Sequence, residues 1–358
     1  MVDLFGRSYT RQELMRRAGS VSQYGGVRLA ELSDGRAKGV AVADFNLGNG
    51  FEFTVVPGRA MDVLAARFQG MSLAWHSNVG MAAGSFYEPD GLGWLRTFAG
   101  GLLVTCGLTY VGAPAVDEGQ ALGLHGRVAN IPASGVQVAG WWEGDDYVMA
   151  ASGEMRESVV FGANVSLRRK VWARLGERRF TIEDTVRNDG FRLTPHQILY
   201  HFNLGYPLVD AGSHLVSTSA KITPRDDEAR QGAEDAAVFS DPIPGFKEKV
   251  YYHEMRADGD GYVWAALVRP VLLQGQPLGL YLKYRKEQLP RFVEWKMMGE
   301  GDYVVGMEPS NAGVEGRNVD RADGALQFLQ PGEERRYEIE VGLIVGEDEY
   351  RQFRKHVG

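Results

Sequence analysis

The stretch "SVVFGANVSLRRKVWARLGERRFTIEDTVRNDG", residues 158–190, decides the architecture. Apolar and polar residues alternate along it with the period of two that marks a half-buried strand. Gly176 and the triplet Asn188-Asp189-Gly190 break the alternation with residues that favour tight turns, so the segments on either side read as antiparallel neighbours. The same texture recurs in "VRLAELSDG" (27–35), "RAKGVAVADF" (36–45), "FEFTVVPG" (51–58) and "DYVMAASGEM" (146–155). It continues through "YVWAALVRPVLL" (262–273), "LGLYLKYRKE" (278–287), "FVEWKMMGEGDYVVGMEP" (292–309) and "ERRYEIEVGLIVG" (334–346). So many strands in one chain imply two large sheets packed face to face, because a single open sheet leaves an apolar face in water. The expected fold class is therefore all-β, a large antiparallel β-sandwich.

One stretch departs from this texture. In "TRQELMRRAG" (10–19) Thr10 precedes Glu13 by three positions, a capping-box pattern, and Gly19 stands where a helix would end. A short N-terminal helix is expected, with residues 1–24 as a helical extension and 25–358 as a single sandwich domain. No Ser/Pro-rich linker or charge run divides the latter. The most polar and irregular stretch, "TPRDDEARQGAEDAAVFSDPIPGF" (223–246), reads as a surface excursion.

Composition excludes several roles. A formal net charge of −7 without a basic run argues against nucleic acid as a partner, whose affinity is supplied by clustered Lys and Arg. No apolar run approaches the roughly 20 residues that span a bilayer, and the N-terminus lacks the basic and apolar regions of a secretory signal, so no membrane partner is expected. Cys106 is the single cysteine and sits among apolar neighbours, which suits a buried structural thiol in a reducing cytoplasm. There is no C-x-x-C, no G-x-S-x-G and no P-loop pattern. "YHEMR" (252–256) lacks the second histidine of a zincin, and Asp258 with Asp260 reads as a hairpin turn rather than a calcium loop. Neither metal nor cofactor is expected.

What remains is a set of histidines, arginines and one carboxylate near strand ends. His125 and Arg127 are expected to share a strand face, as are His201 and Asn203, and Glu308 ends an apolar strand before a proline. A carboxyl there is costly to bury without a partner or a task. Arg59 and Asp62 in "PGRAMDV" read equally as a ligand clamp or as an ion pair at a turn. Trp75, and Trp295 with Lys296, offer an aromatic platform and a cation for an acidic or phosphorylated sugar, or core packing. Arg317 either shapes a pocket entrance or is solvated.

Three segments carry a family resemblance. "LGLHGRVANIPA" (122–133) resembles the H-G-x(n)-P-A segment of the aldose 1-epimerases, also called galactose mutarotases. "YHFNLGYPL" (200–208) resembles their H-x-Y-F-N-L segment, and "VGMEPSNA" (305–312) their V-x-x-E-P-x-N segment. The order and approximate spacing agree from about Gly25 to Gly346, and "VVPGRAMDV" (55–63) and "GGLLVTCGL" (100–108) look like a bacterial branch whose substrates are largely unassigned. The resemblance implies a large sandwich and the interconversion of α and β anomers of a free sugar by acid–base ring opening, without a cofactor. It casts Glu308 as the base, a histidine as the acid, and the second histidine with Arg127 or Arg59 as holders of ring oxygens. The remaining candidate sugar contacts are Asp62, Asn203, Trp295, Lys296 and Arg317, and the glycines beside His125 are expected to let the sugar approach the backbone.

One position departs from the pattern. When residues 202–204 are laid on the family's F-N-L, its histidine falls at Leu199, and this chain has His201 two residues on, on the same face but about 6.6 Å along the strand. His196 falls off that face and reads as structural. A glycoside-cleaving enzyme and a non-catalytic carbohydrate-binding protein remain the alternatives; the former normally needs paired carboxylates. The expected partner is a small-molecule carbohydrate, and a homodimer is left open.

Overall fold

A computed structural model describes residues 1–358 as two large antiparallel sheets, one of twelve strands and one of eight. The deciding stretch forms the paired strands Asn164–Arg174 and Arg179–Asn188 of the smaller sheet. Their alternation is visible in the packing: Val165, Leu167, Val171 and Ala173, then Phe180, Ile182 and Val186, all enter the main apolar core.

Two inward positions on these strands are polar, Arg169 and Asp184, and they bond to each other at 2.8 and 2.7 Å. Arg169 also reaches Asp62 at 2.9 Å, and the Tyr200 hydroxyl donates to Asp184. Buried charge persists only when paired this fully. Asp62, expected at a ligand clamp or in a pair with Arg59, instead belongs to this interior network, where it also accepts from the Thr105 amide and hydroxyl. Burial raises its carboxyl to about 6 against the opposing pull of Arg169. Arg59 is likewise no ligand clamp: its guanidinium donates to the carbonyls of Ala82, Thr97 and Ala129, tying three loops together.

The larger sheet positions the functional residues. Its strands Lys249–Met255, Arg291–Met298, Tyr303–Ser310, Thr194–Gly205 and Leu103–Leu108 lie side by side in that order. Ile198, Tyr200 and Phe202 turn inward with Val305 and Met307. Leu199 and Val304 turn to the outer face, where they form a second, smaller cluster with Trp75, Trp94, Phe98 and Cys106. Cys106 is a buried free thiol.

The N-terminal helix runs Arg11–Met15 with both capping-box bonds between Thr10 and Glu13, and it closes at Arg16, short of Gly19. A hairpin of Val2–Leu4 and Arg7–Tyr9 precedes it, and Val2, Leu4, Tyr9 and Leu14 pack in the same core as the sandwich strands. The polar 223–246 stretch is anchored rather than loose: it contains the short helix Asp227–Arg230 and buries Ala229, Ala236 and Phe239. Asp258 caps a hairpin turn, accepting from the amides of Asp260 and Tyr262 and from the Trp264 indole. An amphipathic helix at Gly346–Val357, which strand periodicity does not announce, seats Phe353 against Trp264 and Tyr281. No helix is long and apolar enough to cross a membrane.

Candidate active site

The outer face of the larger sheet holds a cleft of about 640 Å³ with His125, His201 and Glu308 in its lining. His201 and Glu308 come from adjacent paired strands and are 5% and 3% exposed. His201 Nε2 lies 3.2 Å from Glu308 Oε1, but the approach is not aligned as a hydrogen bond, so Oε1 remains without a partner. The Nδ1 atoms of His125 and His201 are also buried and unpartnered. Buried polar atoms are nearly always satisfied, so three unmet ones in a single cleft mark a place where a ligand can supply the bonds. The two imidazoles meet edge to face with centroids 5.8 Å apart.

Burial governs the protonation of this set. Loss of solvation pushes the Glu308 carboxyl up to about 8, helped by the nearby negative charge of Glu248 and opposed by Arg225. Burial pulls His125 down to about 4. It pulls His201 to about 3, with His125 adding to the effect. Between those limits the cluster carries a single dissociable proton, held on the Glu308 carboxyl beside two neutral imidazoles.

Local sequence explains the geometry. Gly306 lies beside Glu308 on the same outer face, where a Cβ would stand 2.5 Å from Glu308 Oε1 and 2.9 Å from Trp295 Cβ, so a side chain there would displace the carboxyl. His125 sits in a left-handed turn at φ 56°, not in a strand as the alternation implied. Its amide donates to Gly112 and its carbonyl accepts from Gly107. The glycines beside it admit protein rather than sugar: a Cβ at Gly126 would lie 2.3 Å from the Gly107 carbonyl oxygen, and one at Gly123 would lie 2.0 Å from that of Pro89.

Several expected contacts lie elsewhere. Arg127 is exposed and outside the cleft lining, at the start of the single turn Val128–Asn130, because the turn at His125 breaks the shared strand face. Asn203 does share a face with His201, but its amide donates to the carbonyls of Gly101 and His201 beneath the cleft. Lys296 falls on the inward side of its strand, where its ammonium donates to the carbonyls of Asp235 and Val238 and so pins the 223–246 stretch. Arg317 bonds Asp117, the Thr109 carbonyl and Gln120. His196 is fully buried between the Leu108 carbonyl and the Tyr337 hydroxyl, in a structural role.

Trp295 and Trp75 do line the cleft, 6.1 Å apart, together with Trp94 and Phe98, which sequence reasoning passed over. Also passed over were Arg225 and Glu248 in the lining, where Glu248 accepts from the Trp295 indole and pairs with Arg225. Arg225 belongs to the polar excursion, whose density of charged residues was the available signal.

The comparisons agree with this architecture. A family profile described as a domain of unknown function (DUF4432) matches residues 37–343. A solved structure from Klebsiella pneumoniae, named as a candidate aldose 1-epimerase, shares 25% identity and a TM-score of 0.86 over 93% of this chain and 88% of its own. A galactose mutarotase-like protein from Clostridium acetobutylicum is 12% identical at a TM-score of 0.61, over 90% of this chain and 99% of its own. The galactose 1-epimerase of Lactobacillus acidophilus is 12% identical at 0.57, over 90% and 100%; at such identity these two show the fold alone. No curated protein matches the sequence. With most of its length matched by that profile and the same sandwich in these relatives, the chain belongs to the DUF4432 family and has the galactose mutarotase-like fold.

Proposed function

We propose that the protein interconverts the α and β anomers of a free sugar, with Glu308 and a histidine of the cleft as the acid–base pair. The observation that carries this reading is the buried, unaligned approach of His201 to Glu308 beside His125, with buried polar atoms left unpartnered on three residues that line the cleft. Ring opening needs a group that takes the proton of the anomeric hydroxyl and another that gives one to the ring oxygen. The bond from C1 to the ring oxygen then breaks, the carbonyl end turns, and closure from the other face returns both protons.

A pair holding one proton does both tasks. With the proton on His201, the pair is an imidazolium acid and a Glu308 base; with the proton on Glu308, the roles exchange. The two arrangements have the same proton count and titrate as one unit. Each positioned proton transfer contributes about 10²–10⁴-fold, which suffices for a reaction that already proceeds in water. The candidate aldose 1-epimerase from Klebsiella supports the reading through its shared fold.

Saturation-transfer NMR on purified protein, screened across free sugars, tests it directly. Enhanced anomer exchange is expected. Because the working state keeps one proton, activity should fall as pH rises through about 8, where Glu308 loses its proton, and should persist on the acidic side toward about 4. Sugar binding without enhanced exchange at any pH would transfer the cleft to a non-catalytic carbohydrate-binding protein.

A further inference from the structure

We infer that the sugar accepted by this cleft is uncharged and lacks at least one hydroxyl, a deoxy sugar; the inference rests on the anomer-exchange reading of the same cleft. Its wall is a continuous aromatic arc. Trp94 stacks on Phe98 at 4.5 Å, Phe98 meets Trp75 at 5.6 Å, and Trp75 meets Trp295 edge-on at 6.1 Å. The imidazoles are set into this arc, His125 against Trp94 at 4.9 Å and His201 between Phe98 and Trp295 at 5.5 and 5.4 Å. Leu124, Val314 and Met297 pack against the same cluster and extend the apolar lining.

Aromatic faces take C–H surface well and offer a hydroxyl nothing comparable to the bonds it leaves in water. Apolar side chains make up most of this lining, and Ser77, Arg225 and Glu248 among its polar ones are already used, which leaves Asn78, Asp302 and the His125, His201 and Glu308 set for hydroxyls. The Ser77 hydroxyl donates to the Phe98 carbonyl at 2.5 Å and accepts from the Val79 amide. A sugar with a hydroxyl on every carbon would press at least one against the arc without a partner. A sugar with a methyl or methylene there would not.

Charge argues in the same direction. Arg225 is the one Lys or Arg in the lining, and it is already paired with Asp226 at 2.9 Å and Glu248 at 3.4 Å. Asp302 and Glu248 contribute negative charge to the lining. An anionic sugar entering this cleft would meet no free cation and would have to displace an acid from Arg225.

The test uses matched pairs: 6-deoxygalactose against galactose, 2-deoxyglucose against glucose, and 2-deoxyribose against ribose, with galacturonate and glucose 6-phosphate as the anionic arm. Exchange is read by saturation-transfer NMR. Binding is read by intrinsic fluorescence, since three of the seven tryptophans line the cleft. At least one deoxy sugar is expected to exceed its parent roughly tenfold in kcat/KM, as one unpaired buried hydroxyl would demand, with both anions neither bound nor exchanged. Trp94→Ala should narrow that ratio. Parent sugars exchanged as fast as their deoxy partners, or preference for an anion, overturn the inference and leave anomer exchange standing. A deoxy preference in binding without exchange overturns anomer exchange and leaves the inference standing. No binding and no exchange across the set overturns both.

Discussion

Two imidazole–carboxyl pairs lie in the same sheet, one on each face. Glu308 is opposite Val293 across the strand pair, and Glu294 is opposite Met307, so the two carboxyls are neighbours in register that leave the sheet in opposite directions. Glu294 turns inward and bonds His253 at 2.9 Å, both side chains fully buried. Glu308 turns outward and approaches His201 at 3.2 Å without alignment. Each pair leaves hydrogen-bonding capacity unmet, at His253 Nδ1 and Glu294 Oε1 as at His201 Nδ1 and Glu308 Oε1. The difference is access. His201 and Glu308 line a cleft, where a bound hydroxyl can approach their unmet atoms, whereas the His253 and Glu294 side chains are fully buried between the layers. The same two residue types thus give a candidate reaction centre on one face and a structural tie on the other, and strand parity alone separates them.

The sharpest way to break this comparison is to make one substitution at both places. Glu308→Gln keeps shape and cannot exchange a proton, so anomer exchange should fall about 10²-fold or more while sugar binding survives. Glu294→Gln should leave exchange per folded molecule unchanged and cost about 1–3 kcal/mol of stability. Equal losses of exchange at both positions would show that the outer pair is structural as well.

Stability should move the opposite way at the outer site. Glu308 has a folded value near 8 against an ordinary 4.5, so folded protein keeps a proton that the unfolded chain releases. The native state therefore loses stability as pH climbs from about 4.5 to about 8, and the loss levels off above that. Glu308→Gln removes the penalty and should gain about 2 kcal/mol at pH 6 and about 4–5 at pH 9. Thermal unfolding at the two pH values checks it, and a gain that shrinks with pH would contradict the burial of the carboxyl.

Smaller effects sharpen the roles within the outer pair. His125→Asn and His201→Gln should each lower turnover at least roughly tenfold with little change in melting temperature, whereas His196→Gln, which breaks the bonds to Leu108 and Tyr337, should destabilise without a specific loss of turnover. Gly306→Ala should cost severalfold by pushing the Glu308 carboxyl out of place, and a crystal structure of the variant would show the displaced side chain.

The sandwich was legible because its signal is local. Val165, Leu167, Val171 and Ala173 occupy the core by the same alternation that can be read along the line of sequence. The capping box at Thr10 and Glu13 was legible for a similar reason, since both partners lie within one turn. The C-terminal helix was not, because strand texture runs straight into it. Within the cleft, Glu308, His201 and His125 stood out as costly residues in motif context. Lys296, Arg317, Arg59 and Asp62 were equally conspicuous, yet their partners lie far away in sequence: backbone carbonyls for Lys296 and Arg59, the Asp117 carboxylate with the Thr109 carbonyl and Gln120 for Arg317, and Thr105 with Arg169 for Asp62.

The sequence by itself determined that this chain forms paired sheets and that a small set of titratable side chains is held near strand ends, because periodicity and turn chemistry act over a few residues. Only the tertiary structure decided which of those side chains share a cleft. Trp94, Phe98, Arg225 and Glu248 meet His201 and Glu308 there from separate stretches of the chain. The physical reason is that burial and access belong to the packed layers: a carboxyl at one strand position is a tie between sheets, and across the pleat it is a buried acid facing a cleft.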